Sequence, residues 1–279
     1  MEGFKPRTRD HPGVTVKSVL YDRLPEPLKP LAKRGYYTLV TGRTGGALHS
    51  EFVAEFFGSR HEYERYVSEF ERGRVERLRN DALAEYRKLT GRERLSGVDL
   101  DTARDYYALT RVLSPSTVVE TGVCNGVSTL AVLLALRENE TGTLHSIDYP
   151  LVADESLEEF RDETFAEYGG AAIPSDKEPG WIVPDELRSR WELTIGKSQR
   201  ELPRLVAELG TVDLFFHDSE HSHPCMMFEF ELVYEWLADR GVIVADDVTW
   251  NDAFSVFTEV RSSNDGRLSH NVGYVRRTE

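Results

Sequence analysis

Thr117-Val118-Val119-Glu120-Thr121-Gly122-Val123-Cys124-Asn125-Gly126-Val127-Ser128 runs from a short apolar stretch through two glycines into a helical pattern at about 126–138. An apolar run of strand length, a glycine turn and then a helix is the opening unit of a sheet whose strands are joined by helical crossovers. Gly122 and Gly126 permit a tight turn and close approach of a ligand to backbone, and the helix that follows offers unpaired N–H groups at its start. The spacing is not the G-x-G-x-x-G of a pyrophosphate cradle. Glu120 would also repel a phosphate, whereas a carboxylate there suits a cationic group such as the amine of an amino acid.

Outward from this unit the same alternation repeats. Apolar runs at 117–120, 143–147, 192–195, 212–216 and 241–245 are separated by helical patterns at about 126–138, 198–209 and 222–238. Strand, helix, strand in repetition predicts an α/β fold, a doubly wound and mostly parallel sheet with helices on both faces. The tail, with Phe254–Val260 and then Val272–Arg276, adds a last helix and an edge hairpin.

In such a sheet ligands bind beyond the carboxyl ends of the strands, so the residues that follow each strand carry the chemistry. The second strand ends at Asp148, an acid placed to take both hydroxyls of a ribose. With the glycine turn it describes a pocket for a nucleoside that carries no pyrophosphate. The third ends Gly196-Lys197-Ser198-Gln199, where Ser198 and Glu201 also have the spacing of a capping box. The fourth ends His217-Asp218-Ser219-Glu220-His221 and the fifth Ala245-Asp246-Asp247. Carboxylates at the tips of adjacent strands need a cation or a shared proton, and all-oxygen ligands favour a hard ion such as Mg²⁺. His221 follows Asp218 by three residues, one turn of a helix if a helix begins there, so it can face the same pocket.

The remaining 1–95 reads as an extension. Residues 1–47 carry scattered Pro and Gly, with a short strand at Tyr36–Val40, and from about Ser50 to Leu89 Tyr63, Tyr66, Val67, Phe70, Val75, Leu78 and Tyr86 recur mostly at helical steps. That amphipathic stretch is expected to pack on the main domain or on a second subunit, making a homo-oligomer. Residues 96–279 form the main domain, with 149–190 as a lid-like insertion that includes Gly180 and Trp181.

Bulk properties exclude other classes. The 279 residues carry a formal charge of −14, which argues against a protein that tracks a nucleic-acid backbone. Among the 34 basic residues 27 are Arg, a bias that fits either salt adaptation or a GC-rich genome. Thr129–Leu136, the longest uncharged apolar run, falls far short of the ~20 residues of a membrane span, and the first fourteen residues, MEGFKPRTRDHPGV, lack the apolar stretch of a secretory signal, so a cytoplasmic protein is expected. Cys124 and Cys225 have no metal-ligand spacing.

Glu120-x-Gly122-x-x-x-Gly126-x-Ser128, Asp148, Gly196-x-Ser198-Gln199, Asp218 and Asp246-Asp247 stand in the order found in class I S-adenosylmethionine-dependent methyltransferases, in the metal-dependent branch similar to catechol O-methyltransferase. The run from Asp218 to Ser222, followed by a helix and Gly241-Val-Ile-Val-Ala-Asp246-Asp247, looks closer to cephalosporin hydroxylase-like proteins and macrolide-sugar O-methyltransferases. The resemblance covers about 95–276 and implies a seven-stranded sheet. It implies that Glu120, Gly122, Val123, Asn125, Gly126 and Ser128 surround the amino-acid end of S-adenosylmethionine, Asp148 the ribose, and Ser198 and Gln199 the adenine side. It further implies that Asp218, Asp246 and Asp247 hold Mg²⁺ or another divalent cation, with Asp218 and His221 catalytic and His221 the base. Cys124 stands where broader methyltransferases carry a glycine. The expected acceptor is a hydroxyl of a sugar or small polyhydroxylated molecule, an aromatic diol coming next. A nicotinamide-dependent oxidoreductase is the rival enzyme, and a cofactor-binding partner protein without turnover is the rival outside catalysis.

Overall fold

The computed structural model describes residues 44–72, 75–150, 172–261 and 264–278. The strand expected at 36–40 lies outside them. The chain divides into two compact units, Met1–Ala47 and Leu48–Glu279, and the sheet belongs to the second.

Among the described residues three helices come first: α1 Gly45–Phe57, α2 Arg60–Arg72 and α3 Val75–Thr90. The long helical stretch read from about Ser50 is therefore interrupted. Gly58 at φ +70° turns the chain out of α1, and Ser59 takes the amide of Glu62 on its hydroxyl (3.2 Å) to start α2. Helix α4, Leu100–Leu113, is capped by Asp99, whose carboxylate accepts from the amide of Thr102 at 2.8 Å.

Alternation then begins: β1 Thr117–Thr121, α5 Val127–Asn139, β2 Thr143–Asp148, β3 Trp191–Ile195, α6 Ser198–Leu209, β4 Val212–His217, α7 His223–Trp236, β5 Leu237–Ala245, α8 Ala253–Arg261, β6 Asn264–Arg267 and β7 Gly273–Arg276. Among the described residues the strands form one seven-stranded sheet in the order β3-β2-β1-β4-β5-β7-β6. Strands β1 to β5 run parallel, and β7 pairs antiparallel with both β5 and β6. This is the doubly wound α/β sheet expected from the alternation, with the order reversing between β1 and β4.

Strand side chains alternate between faces, and the two cores follow that period. Val118, Leu144, Leu214, Phe216, Val242 and Val244 face a core shared with α5, whose residues from Val127 to Leu136 are all buried. Val119, Ile147, Phe215, Ile243 and Ala245 face the opposite core, with Leu202, Met226, Phe230 and Phe257. The apolar side chains of α1–α3, among them Phe52, Tyr63, Val67, Phe70 and Tyr86, belong to the first core. The residues that suggested a partner surface are thus used within the chain.

Residues 172–190 of the insertion are also tied down, while 151–171 lie outside the described residues. Gly180 donates its amide to the carbonyl of Cys124 (2.9 Å), Trp181 Nε1 donates to Asn125 Oδ1 (2.8 Å), and Ile182, Val183 and Leu187 enter the first core.

Candidate active site

The strand tips are laced together by main-chain hydrogen bonds just beyond the pairing ladder. Gly196 N–H reaches Asp148 O (2.8 Å), Gly122 N–H reaches Ile147 O (2.9 Å), Asp218 N–H reaches Thr121 O (2.8 Å), and Asp246 N–H reaches His217 O (2.9 Å). These bonds align four sequence-distant loops along one edge of the sheet. A cavity of about 340 Å³ opens above them. Gly122, Asp148, Ser198, Gln199, Asp218, His221, Asp246 and Asp247 line it. These eight expected site residues are brought together by the fold.

Five others stand behind the cavity wall. Glu120 is 1% exposed and does not line the cavity. Its two carboxylate oxygens accept from the hydroxyls of Ser128 (2.7 Å), Thr129 (2.8 Å) and Ser146 (2.8 Å). Burial pushes its pKa up to about 7, against the pull of these three donors. Its position therefore differs from the amine contact expected: β1, β2 and the start of α5 are held around it. Ser128 serves Glu120, and Asn125 donates to the carbonyls of Ser96 (3.1 Å) and Ala172 (3.4 Å) while receiving Trp181. At Gly126, φ +94°, a Cβ would lie 2.7 Å from Gly180 Cα, so the close approach there is to the insertion. Gly122, φ +87°, faces chain as well: a Cβ would stand 1.9 Å from the carbonyl oxygen of Asp218. Val123 contributes its amide to Asp148 (3.2 Å).

Asp148 sits at the junction. Its Oδ2 also accepts from the amide of Cys124 (2.7 Å), so one carboxylate shapes the glycine turn and faces the cavity. Burial raises its pKa to about 6, with the amides of Cys124 and Val123 opposing. Ser198 is the first residue of α6. Its N-cap is Lys197 without a side-chain bond, and Glu201 pairs with Arg200 (3.3 Å) and Arg204 (3.6 Å), so no capping box forms. Ser198 Oγ instead lies 3.8 Å from Cys225 Sγ, and Gln199 Nε2 donates to the same sulfur (3.1 Å).

Acids gather at the other end. Burial, with Asp246 and then Asp247 nearby, pushes the Asp218 carboxyl well above the ordinary carboxylate range. His221 Nε2 lies 3.7 Å from Asp218 Oδ1 and 3.8 Å from Asp247 Oδ2. It reaches this position from a turn, because α7 begins only at His223 with Ser222 as its cap. Asn251 Nδ2 holds the carbonyl of His221 (2.8 Å), and the half-exposed ring of Trp250 lies 5.9 Å from the His221 ring. Asn271, from the β6–β7 turn, donates its amide to Asp246 (3.4 Å) and to Asp247, with Thr249 Oγ1 on its oxygen (2.7 Å). The oxygen donors suit a hard cation chemically, since mutual repulsion is what a cation would relieve. As placed, no group of three or more His, Cys, Asp or Glu among the described residues closes into a ligand set.

Sequence reading missed Asn271, Trp250 and the cavity-lining stretch Arg94-Leu95-Ser96-Gly97. Trp250 stands four residues after Asp246 and was within reach of that motif; Asn271 and the loop before α4 arrive only through the fold.

Residues 119–248 match the family described as a methyltransferase domain. The O-methyltransferase NovP is similar in structure at 15% identity, with a TM-score of 0.55 over 78% of this chain and all of that one. O-methyltransferase TomG from Streptomyces achromogenes, in complex with S-adenosylmethionine, aligns at 16% identity over 72% of this chain and 90% of that one, with a TM-score of 0.48. An S-adenosylhomocysteine-bound methyltransferase from Podospora anserina aligns at 17% identity over 71% and 88%, with a TM-score of 0.47. No curated protein matches the chain. No helix among the described residues is long and apolar enough to cross a membrane. Residues 119–248 thus match a methyltransferase domain, and the chain has a fold similar to that of the O-methyltransferase NovP.

Proposed function

We propose that the chain methylates a hydroxyl of a sugar or small polyhydroxylated molecule, using S-adenosylmethionine and a divalent cation, Mg²⁺ by its donor chemistry. The observation that carries this reading is one cavity with Asp148 and the Gly122 turn at one end and Asp218, His221, Asp246 and Asp247 at the other. A cationic cofactor needs no phosphate cradle. Asp148, Ser198 and Gln199 would hold its nucleoside end, with the amino-acid end beside Gly122 and the 94–97 loop. Glu120, Val123, Asn125, Gly126 and Ser128 would act by shaping that turn.

Bound S-adenosylmethionine supplies an electrophilic methyl group. The cation, held by Asp218, Asp246 and Asp247, would offset their charge and acidify an acceptor hydroxyl. His221 would take the hydroxyl proton at Nε2, and Asp218 at 3.7 Å and Asp247 at 3.8 Å would stabilise the imidazolium that results. Burial of His221, 4% exposed, keeps bulk water from competing for that proton. The Trp250 ring gives the acceptor an apolar face to rest on.

Calorimetry with S-adenosylhomocysteine, with NAD as the control ligand, tests the cofactor. Methyl-labelled S-adenosylmethionine offered with a panel of sugars, polyols and catechols, with and without EDTA, tests the reaction. Binding of NAD but not S-adenosylhomocysteine would transfer the reading to an oxidoreductase. Binding of S-adenosylhomocysteine without labelling of any acceptor would leave a cofactor-binding partner protein.

A further inference from the structure

Directly beneath the acid end of the cavity, α7 buries a carboxylate that the reaction above does not use. Glu229 is 0% exposed, and four donors converge on it. Thr121 Oγ1 donates to Oε2 at 2.6 Å and Ser219 Oγ to Oε1 at 2.8 Å, while Cys225 Sγ lies 3.6 Å from Oε1. His217 Nδ1 stands 2.7 Å from Oε2 and must donate, since a carboxylate only accepts.

Each donor belongs to a different part of the site. Thr121 precedes Gly122 at the tip of β1, and His217 ends β4 immediately before Asp218. Ser219 follows Asp218, and Cys225 touches Ser198 and Gln199. The His217 ring, also 0% exposed, meets the His221 ring edge-on at 5.6 Å. Its Nε2 has no hydrogen-bond partner among the described residues, so Glu229 alone fixes its orientation by hydrogen bonding. Burial alone would push the Glu229 pKa up, but the His217 ring and the hydroxyl donors more than offset this and hold the carboxyl below its ordinary value. A buried, hydrogen-bonded carboxylate is a poor source of stability compared with apolar side chains of the same volume. Its effect is geometric.

We propose that Glu229 is a positioning residue of the site: from inside the core it sets the His217 ring, and through that ring the placement of His221. Only its consequence for turnover rests on the function proposed above. Outer-shell groups of this kind typically alter affinity or activity by about 10- to 100-fold when removed.

The test uses the full chain labelled with ¹⁵N-histidine, as wild type, Glu229→Gln, His217→Gln and the double variant. Melting and S-adenosylhomocysteine calorimetry monitor the fold and the cofactor end. Glutamine keeps the volume and one carbonyl acceptor, and a cooperative melt is expected. Glu229→Gln should move the His221 ring ¹⁵N signals, and the double variant should show no further movement beyond His217→Gln. With an acceptor in hand, Glu229→Gln should lower kcat by about 10- to 100-fold with KM little changed, and Glu229→Asp should restore part of it. His221 signals that stay in place in folded Glu229→Gln would overturn the proposal. So would a shift of equal size with and without His217. Should Glu229→Gln fail to fold, His217→Gln decides alone, since unmoved His221 signals there break the same link. Wild-type protein that binds no S-adenosylhomocysteine would end the functional reading while the histidine spectra still decide the role of Glu229.

Discussion

The Asp148 carboxylate accepts the backbone amide of Cys124 at 2.7 Å while lining the same cavity as Asp218 and His221. A single side chain therefore holds the glycine turn in its conformation and presents charge to a ligand. The two roles can be separated by substitution, because asparagine keeps an acceptor for the amides and loses the charge.

Asp148→Ala should weaken S-adenosylhomocysteine binding by about 1.5–3 kcal/mol, the range for hydrogen bonds to a charged group, and should also lower the melting temperature. Asp148→Asn should retain most of the melting temperature and still bind weakly. Calorimetry and melting on the same preparations check both. Unchanged binding by Asp148→Ala would confine the residue to the turn.

Glu120 makes a prediction about pH. Its pKa is raised from 4.5 to about 7 in the folded chain, and that of Asp148 from 3.8 to about 6. Both groups bind protons more tightly folded than unfolded, so their contribution to stability is complete below the unfolded values and is lost as pH rises through the folded ones. The ligand-free protein should therefore lose stability from these groups between roughly pH 4 and 7. At roughly 1.4 kcal/mol for each pH unit, Glu120 accounts for on the order of 3 kcal/mol. Glu120→Gln, neutral at every pH and of the same shape, should flatten the dependence of melting temperature on pH relative to wild type. Parallel curves for the two proteins would show that Glu120 ionises as freely in the fold as in the unfolded chain.

The alternation of apolar runs with helical patterns was enough to expect the parallel sheet, because Val118 and Val119, or Leu214 and Phe215, are buried on opposite faces and so leave continuous runs. The acids after each strand were legible for the same reason: strand tips meet in space wherever parallel strands are adjacent. Glu120 was harder. Its place in the motif is visible in the sequence, but the hydroxyls of Ser128, Thr129 and Ser146 that enclose it become neighbours only when β2 and α5 fold over it. Asn271 reaches Asp246 from a hairpin turn 25 residues away and carries no local signature. The pairing of Glu229 with His217 was hidden too, since a Glu inside a helical pattern reads as solvated surface until packing shows otherwise.

Gly122 is a test of how closely the strand tips approach. A Cβ there would meet the carbonyl oxygen of Asp218 at 1.9 Å, in a backbone conformation, φ +87°, that L residues seldom adopt. Gly122→Ala should cost about 2–5 kcal/mol, combining left-handed strain with overpacking against backbone. Because the displaced group is the Asp218 main chain, the acid end of the cavity should be disturbed as well as the turn. Gly58→Ala, where φ is +70° and a Cβ meets nothing within 4 Å, isolates the strain alone and should cost about 1–2 kcal/mol. Denaturant melts of the two variants compare the terms, and equal losses would mean that β1 and β4 separate freely at their tips.

Asp218 and Asp247 flank His221 Nε2 at 3.7 and 3.8 Å, with Asp246 beside them. Burial first, and then repulsion by the nearby charges of Asp246 and Asp247, makes Asp218 resist ionisation in the ligand-free chain. A divalent cation relieves that repulsion, so Mn²⁺ added alone should bind and should raise the melting temperature. Asp218→Asn removes one charge and one oxygen ligand, and should weaken Mn²⁺ binding while leaving S-adenosylhomocysteine affinity nearly intact, since the nucleoside end sits on Asp148 and the start of α6. For turnover of an acceptor, EDTA should abolish activity and Mg²⁺ or Mn²⁺ restore it. His221→Ala should lower kcat by roughly 10²–10⁴-fold, the usual contribution of a positioned base, with little effect on cofactor binding. Full activity in EDTA would remove the cation from the reaction and leave the acids to share a proton. An unimpaired His221→Ala enzyme would instead assign the base to one of the carboxylates beside it.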